Sequence, residues 1–111
     1  MSKFSTCLRE ARTQHGYSIR NLAQLVGIDY TYLSKLENDR QLYPPKESVL
    51  RTIAHHLELD GTTLCYLAGR ITTEDQHLIQ ELAKTYGKNL KLLLRVMRDR
   101  PEIVQEILSK D

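Results

Sequence analysis

The chain of 111 residues has few cysteines, and their placement excludes cysteine-based scaffolds. Cys7 and Cys65 lie far apart, and neither belongs to a CxxC pair. A disulfide framework or a zinc ribbon needs more cysteines at closer spacing, so we expect two reduced thiols that fill helix faces. The adjacent His55 and His56 would point about a third of a turn apart on a helix, and no HExxH motif is present. The sequence therefore predicts no metal site and no cofactor.

Long apolar runs are also missing. No run approaches the roughly 20 residues that a membrane-spanning helix needs, and the first residues, MSKFSTCLRE, contain no apolar signal block. Glycine loops that bind phosphate and nucleophile elbows are absent as well. We expect a soluble, cytoplasmic protein that has no membrane partner and is not an enzyme.

Charge and aromatic content are low. The net charge is +2, and the chain has six tyrosines, one phenylalanine and no tryptophan. A nonspecific nucleic-acid coat needs a dense field of lysine and arginine, and single-strand binding uses basic residues interleaved with aromatic ones. The small basic surplus lies within residues 1–70. If the chain binds nucleic acid, duplex DNA recognised by a few placed contacts is the better target.

Helical periodicity runs through the whole sequence, without the sustained alternation typical of strands, so we predict an all-α fold. The segment 21–38 resolves into two short helices joined by a turn at Gly27. Asp29 caps the second helix, which Leu33 and Leu36 anchor. The apolar inner face of the first helix is formed by Leu22, Ala23, Leu25 and Val26. This is the form of a helix-turn-helix DNA reader.

Start and stop signals extend the helical pattern on both sides. A first helix should run over about 3–15 and end at Gly16, and Ser18 should cap the second. Pro44-Pro45 is suited to starting a fourth helix, and Asp60 to capping a fifth. Five helices would complete a domain over residues 1–70.

The match to a known family covers roughly residues 4–69. Its matching positions are Phe4, Leu8, Ala11, Arg12, Gly16, Ser18, Leu22, Ala23, Gly27, Ile28, Leu33, Leu36, Glu37 and Asn38. This pattern resembles the phage-repressor-like regulators of the Cro/cI or XRE type. The resemblance implies a five-helix lambda-repressor-like domain that binds double-stranded DNA.

The resemblance also implies roles for individual residues. Tyr30, Thr31 and Lys35 occupy the base-reading positions, with Ser34 on the same exposed side. Lysine can donate to guanine O6/N7, whereas Thr31 and the Tyr30 ring can pack against a thymine methyl. In the alternative interpretation, Tyr30 and Tyr32 only cover the domain surface or a protein interface.

Backbone contacts and one structural ion pair complete the implied site. The family usually has a phosphate-binding glutamine at the position of Ile19, and Arg20 or Asn21 would have to replace it. Arg12 and Glu37 resemble a partly buried salt bridge between the first helix and the recognition helix. The residues predicted to contact the DNA backbone are Ser18, Arg20, Asn21, Tyr32, Asn38, Arg40 and Gln41.

Residues 71–111 form three further amphipathic segments, beginning near Thr73, after Gly87 and at Pro101. Such short helices bury little surface alone, and a second copy is the commonest partner for an apolar face. We predict a homodimerisation element, which another protein partner could also use; the alternative is that these helices fold back onto the first domain. The predicted dimerisation residues are Leu78, Leu82, Leu90, Leu94, Met97, Ile103 and Ile107.

The sequence therefore favours a DNA-binding transcriptional regulator, with repression as a dimer on an inverted repeat as the simplest mechanism. A protein-interaction module, antitoxin-like or a coactivator bridge, could use the same scaffold, because fold does not settle function.

Overall fold

The computed structural model describes residues 1–110, which form helices and no strands, so the all-α prediction is confirmed. The eight helices of this part of the chain are α1 (Lys3–Gln14), α2 (Ile19–Val26), α3 (Tyr30–Glu37), α4 (Glu47–Leu57), α5 (Gly61–Leu67), α6 (Thr73–Tyr86), α7 (Lys88–Asp99) and α8 (Pro101–Leu108). None of them is long and apolar enough to cross a membrane. The chain divides into two compact units, Met1–Thr73 and the residues from Glu74 onward.

Local signals explain where the helices of the first unit begin and end. The side chains of Ser2, Ser18, Asp29 and Asp60 each accept a hydrogen bond from a backbone N–H at the start of a helix. Gly27 ends α2 in the left-handed conformation with φ of 83°. A side chain there would be strained, so glycine is favoured between the two helices of the motif.

One continuous core holds the first unit together. Its buried members are Phe4, Leu8, Ala11, Leu22, Ala23, Leu33, Leu36, Leu50, Ile53, Ala54, Leu57, Leu64 and Cys65. All five helices contribute to it, so α3 is held by α1 and α2 through buried leucines. Burial of one such leucine contributes about 1.5–3 kcal/mol to the free energy of folding.

Two local expectations were wrong. Helix α4 begins at Glu47 rather than at Pro44-Pro45, because both proline carbonyls accept hydrogen bonds from Arg70 within the loop. Leu25 is 47% exposed instead of lying on the inner face of α2. The first unit includes Thr73, whose backbone N–H donates to Glu47 Oε1 at 2.9 Å.

Within residues 74–110, which the structure describes, the second unit has no core of its own. Helices α7 and α8 pack together, but none of α6, α7 and α8 has a buried residue. Leu82 and Tyr86 of α6, together with Asn89, Leu90 and Leu93, line an open groove of about 300 Å³. This unit leaves most of its apolar side chains facing solvent.

Candidate nucleic-acid interface

The solvent face of α3 carries the predicted base-reading residues. Leu33 and Leu36 are fully buried, and helical spacing places Thr31, Ser34 and Lys35 on the opposite side. Thr31 and Lys35 are exposed, and Ser34 is half-buried. The face therefore offers two hydroxyls and one ammonium group within two helical turns. Tyr32 lies on the other side and packs against the core.

The start of α3 meets the start of α2. Asp29 Oδ1 accepts a hydrogen bond from the Thr31 backbone N–H at 3.3 Å, which fixes the first turn of the recognition helix. Tyr30, 44% exposed, carries the guanidinium of Arg20 over its ring, with Cζ at 4.3 Å from the ring centroid. Ile19 packs against the core, whereas Arg20 beside it is exposed.

A bidentate ion pair fixes the other end of α3. Arg12 donates from Nε to Glu37 Oε2 at 2.7 Å and from Nη2 to Glu37 Oε1 at 2.9 Å. Its third donor group, Nη1, reaches the carbonyl of Tyr17 at 2.8 Å. The side chain of Glu37 is 1% exposed and that of Arg12 is 15% exposed. This buried carboxylate is therefore well compensated, and the pair connects α1 to the recognition helix.

Asn38 uses its side chain to cap α3. Its Nδ2 donates to the carbonyl of Ser34 at 2.7 Å, and its Oδ1 accepts from Arg9 Nη2 at 3.1 Å. The same arginine nitrogen also donates to the carbonyl of Glu37 at 3.1 Å. A phosphate contact from Asn38 would compete with this cap, whereas Arg9 brings positive charge to the end of the recognition helix.

The loop after α3 contains further predicted contacts. Arg40 is exposed, and its backbone N–H donates to the Lys35 carbonyl at 2.9 Å. Gln41 is half-buried, and among the described residues its buried Oε1 has no hydrogen-bond partner. Leu42 and Tyr43 are strongly exposed beside them.

The start of α2 presents the other predicted phosphate contacts. Ser18 Oγ accepts a hydrogen bond from the Asn21 backbone N–H at 3.0 Å, and the side chains of both residues are exposed. The first N–H groups of a helix and its positive dipole end favour an anion nearby. This terminus is therefore suited to hold a DNA phosphate.

A model of the helix-turn-helix domain family matches residues 7–70, which is more than half of the chain. The chain belongs to the phage-repressor-like helix-turn-helix family. Members of this family are DNA-binding regulators. A chain of the solved SinR protein/SinI protein complex has a similar fold, with a TM-score of 0.52 and 22% sequence identity; the alignment covers 89% of this chain and 98% of that one. No curated protein matches the sequence.

In this helix-turn-helix protein, the sequence did not predict the contacts of two residues near the end of α3, namely Arg9 of α1 and Asp39 in the following loop. Arg9 lies three residues before Arg12 in α1, and this spacing alone indicates that both arginines share one helix face. Asp39 accepts hydrogen bonds from Ser2 and Ser5. These residues are more than 30 positions away in the sequence, so no local sequence pattern predicts the contact.

The predicted dimerisation residues all lie in the second unit. Leu82, Leu90 and Ile103 are half-buried there. The remaining members are exposed, namely Leu78, Leu94, Met97 and Ile107. The second unit alone leaves these apolar side chains in contact with water.

Proposed function

We propose that the protein is a sequence-specific transcriptional repressor that binds double-stranded DNA as a homodimer. The observation that carries this proposal is the polar face of α3, with Thr31, Ser34 and Lys35 opposite the buried Leu33 and Leu36. A helix held in this way by a core and a buried ion pair can enter the major groove without losing its shape.

Recognition would divide between bases and phosphates. Lys35 would donate to a guanine, and Thr31 would pack against a thymine methyl, with Ser34 contributing its hydroxyl. The α2 start at Ser18 and Asn21, and Arg40 in the loop, would hold phosphates and set the register on the duplex. Tyr32 packs on the core, so any backbone contact from it would use only its exposed edge.

Dimerisation would be the role of the second unit. A unit of fewer than about 40 residues rarely buries enough surface to be stable, and oligomerisation is one common remedy. The exposed leucines of α7 provide an apolar face for a second copy. The two helix-turn-helix domains of the dimer would then bind half-sites about 34 Å apart, so the operator would be an inverted repeat. Occupation of a promoter by this dimer would repress transcription.

A protein-interaction module is the second candidate. The structurally similar chain belongs to a complex of SinR protein and SinI protein, and Tyr30, Leu42 and Tyr43 are exposed here. In this alternative the surface around α3, or the second unit, would bind protein instead of DNA. Binding to duplexes that falls steeply with salt would favour the first candidate, because phosphate contacts release counterions.

Selection of bound duplexes from a random DNA library at physiological salt tests the proposal. We expect an inverted repeat to be enriched, and Lys35→Ala to lose the preference at one base pair of each half-site by about 1–3 kcal/mol. Lys84→Ala, the same change in an exposed position of α6, is the matched control and should leave the preference intact. Folded protein that enriches no sequence would contradict the proposal.

A further inference from the structure

We propose that Arg20 reads a guanine in the major groove and that Tyr30 is the positioning residue that holds it there. This inference rests on the proposed function and reassigns the roles of two residues in the proposed DNA interface. The sequence predicts a DNA-backbone contact for Arg20 and a base contact for Tyr30. The geometry instead points to base contact by Arg20, with Tyr30 positioning it. The starts of α2 and α3 then act as one reading unit.

The contact between the two side chains is specific in its geometry. Arg20 is the second residue of α2, Tyr30 is the first of α3, and the guanidinium carbon lies 4.3 Å from the ring centroid. This is well inside the distance of about 6 Å at which a cation is attracted to the face of an aromatic ring. Both side chains are exposed, so the contact orders a long arginine that would otherwise move freely in water.

The arginine keeps its hydrogen-bond donors available. Among the described residues, Arg20 has no hydrogen bond or ion pair to protein, unlike four other arginines of the first unit. These four, which donate to carboxylates, hydroxyls or carbonyls, are Arg9, Arg12, Arg51 and Arg70. The Tyr30 ring contacts the guanidinium on one side, and no protein acceptor among the described residues takes its N–H groups. These are the groups that would meet a base.

The chemistry of those donors selects guanine. A planar guanidinium can donate two parallel hydrogen bonds to guanine O6 and N7, the commonest specific contact in the major groove. A donor fork whose plane is fixed gains most from this geometry, and in this proposal the contact with the Tyr30 ring supplies that restraint. Because one face of the ring carries Arg20, Tyr30 is less available to a thymine methyl than the sequence alone indicates.

The test measures base preference at every operator position for four single variants, with folding checked by thermal melting. We expect Arg20→Ala to remove one guanine preference of about tenfold to a hundredfold per half-site, and Arg20→Lys to lose most of it. Tyr30→Phe, which keeps the aromatic face, should retain that preference. Tyr30→Leu should lose it although Arg20 is still present. A purely structural role of Tyr30 would not change the preference at one base alone.

Arg40→Ala is the control, because the loss of a phosphate contact should weaken all duplexes similarly and reduce the salt slope by about one. If Arg20→Ala behaves in the same way, Arg20 binds phosphate and the inference is overturned. It is also overturned if Tyr30→Leu keeps the guanine preference. These results leave the proposed function intact, since the wild-type protein still selects an operator. Failure of the wild-type protein to enrich any sequence would reject both.

Discussion

The carboxylate of Asp39 accepts two hydrogen bonds from Ser2, one from the backbone N–H at 2.8 Å and one from the hydroxyl at 2.6 Å. A third comes from the hydroxyl of Ser5 at 2.9 Å. Asp39 follows the recognition helix and has φ of 55°, a left-handed conformation that aspartate tolerates better than most residues. The start of α1 is therefore tied to the loop that begins after the recognition helix.

This contact predicts that the stability of the folded protein decreases at acidic pH. The Ser2 hydroxyl holds the pKa of Asp39 below its ordinary value of 3.8. Because the folded pKa is the lower one, the contribution is complete above the unfolded pKa and is lost as the pH falls through the folded pKa. We expect wild-type protein to melt at a higher temperature than Asp39→Asn at pH 7, and this difference to shrink as the pH falls below about 4.

Thermal melting of both proteins across this pH range checks the prediction. Ser2→Ala removes the hydroxyl that donates to Asp39 at 2.6 Å, so its melting difference from wild-type protein should show part of the same dependence on pH. A melting difference between wild-type protein and Asp39→Asn that stays the same from pH 7 to pH 2 would show that the charge of Asp39 contributes nothing.

The Arg12–Glu37 pair predicts that removing one partner destabilises the protein more than replacing both. Arg12→Ala leaves the carboxylate of Glu37, 1% exposed, without its main partner, so we expect a loss of about 3–5 kcal/mol in the free energy of unfolding. Replacing both residues together, as Arg12→Met with Glu37→Leu, should cost less than Arg12→Ala. Arg98→Ala breaks an exposed pair with Asp99 and should change little. Urea unfolding of the three variants decides, and equal losses for Arg12→Ala and Arg98→Ala would contradict the prediction.

Replacing Gly27 should destabilise the protein through backbone strain alone. A Cβ at this position would meet nothing within 4 Å, but φ is +83°. Gly27→Ala should therefore destabilise the first unit by about 1–2 kcal/mol, and Gly27→Asn by less. Gly61→Ala is a useful contrast, because Gly61 is the first residue of α5 and its new Cβ would meet chiefly the flexible Arg51 side chain. If both alanine variants unfold at the same urea concentration, the left-handed turn carries no special cost.

Much of the fold was predictable because its signals are local. Ser18 and Asp29 cap the helices that they were expected to cap, and Gly27 ends α2 where the sequence indicates. Pro44-Pro45 misled the prediction, because its local preference for a helix start is overridden by hydrogen bonds from Arg70, which is distant in sequence.

The exposed face of the candidate site was predictable from the sequence, but the side-chain contacts around it were not. Helical periodicity alone places Thr31, Ser34 and Lys35 opposite the core. The stack of Arg20 on Tyr30 joins two helices across the turn, and no pattern in the sequence encodes the direction of a long exposed side chain. For the same reason, the capping role of Asn38 and its contact with Arg9 could be recognised only in three dimensions.

If the second unit joins two copies, one charged residue introduced at its apolar face should dissociate the dimer. Leu93 is 53% exposed and lines the groove of α6 and α7, so Leu93→Glu should cost little in a monomer. At an apolar interface between two copies it would bury a carboxylate without a partner, which costs several kcal/mol. We expect sedimentation equilibrium to show a dimer for wild-type protein and a monomer for Leu93→Glu, with unchanged helix content by circular dichroism.

Leu42→Glu provides the control for this experiment, because it introduces the same charge at a leucine that is 89% exposed in the loop after α3. This variant should remain a dimer. The Leu93→Glu monomer should also bind the operator more weakly than the dimer, since each copy then holds one half-site without its neighbour. A wild-type monomer, or a Leu93→Glu protein that still sediments as a dimer, would show that the groove of α6 and α7 is not the surface that joins two copies.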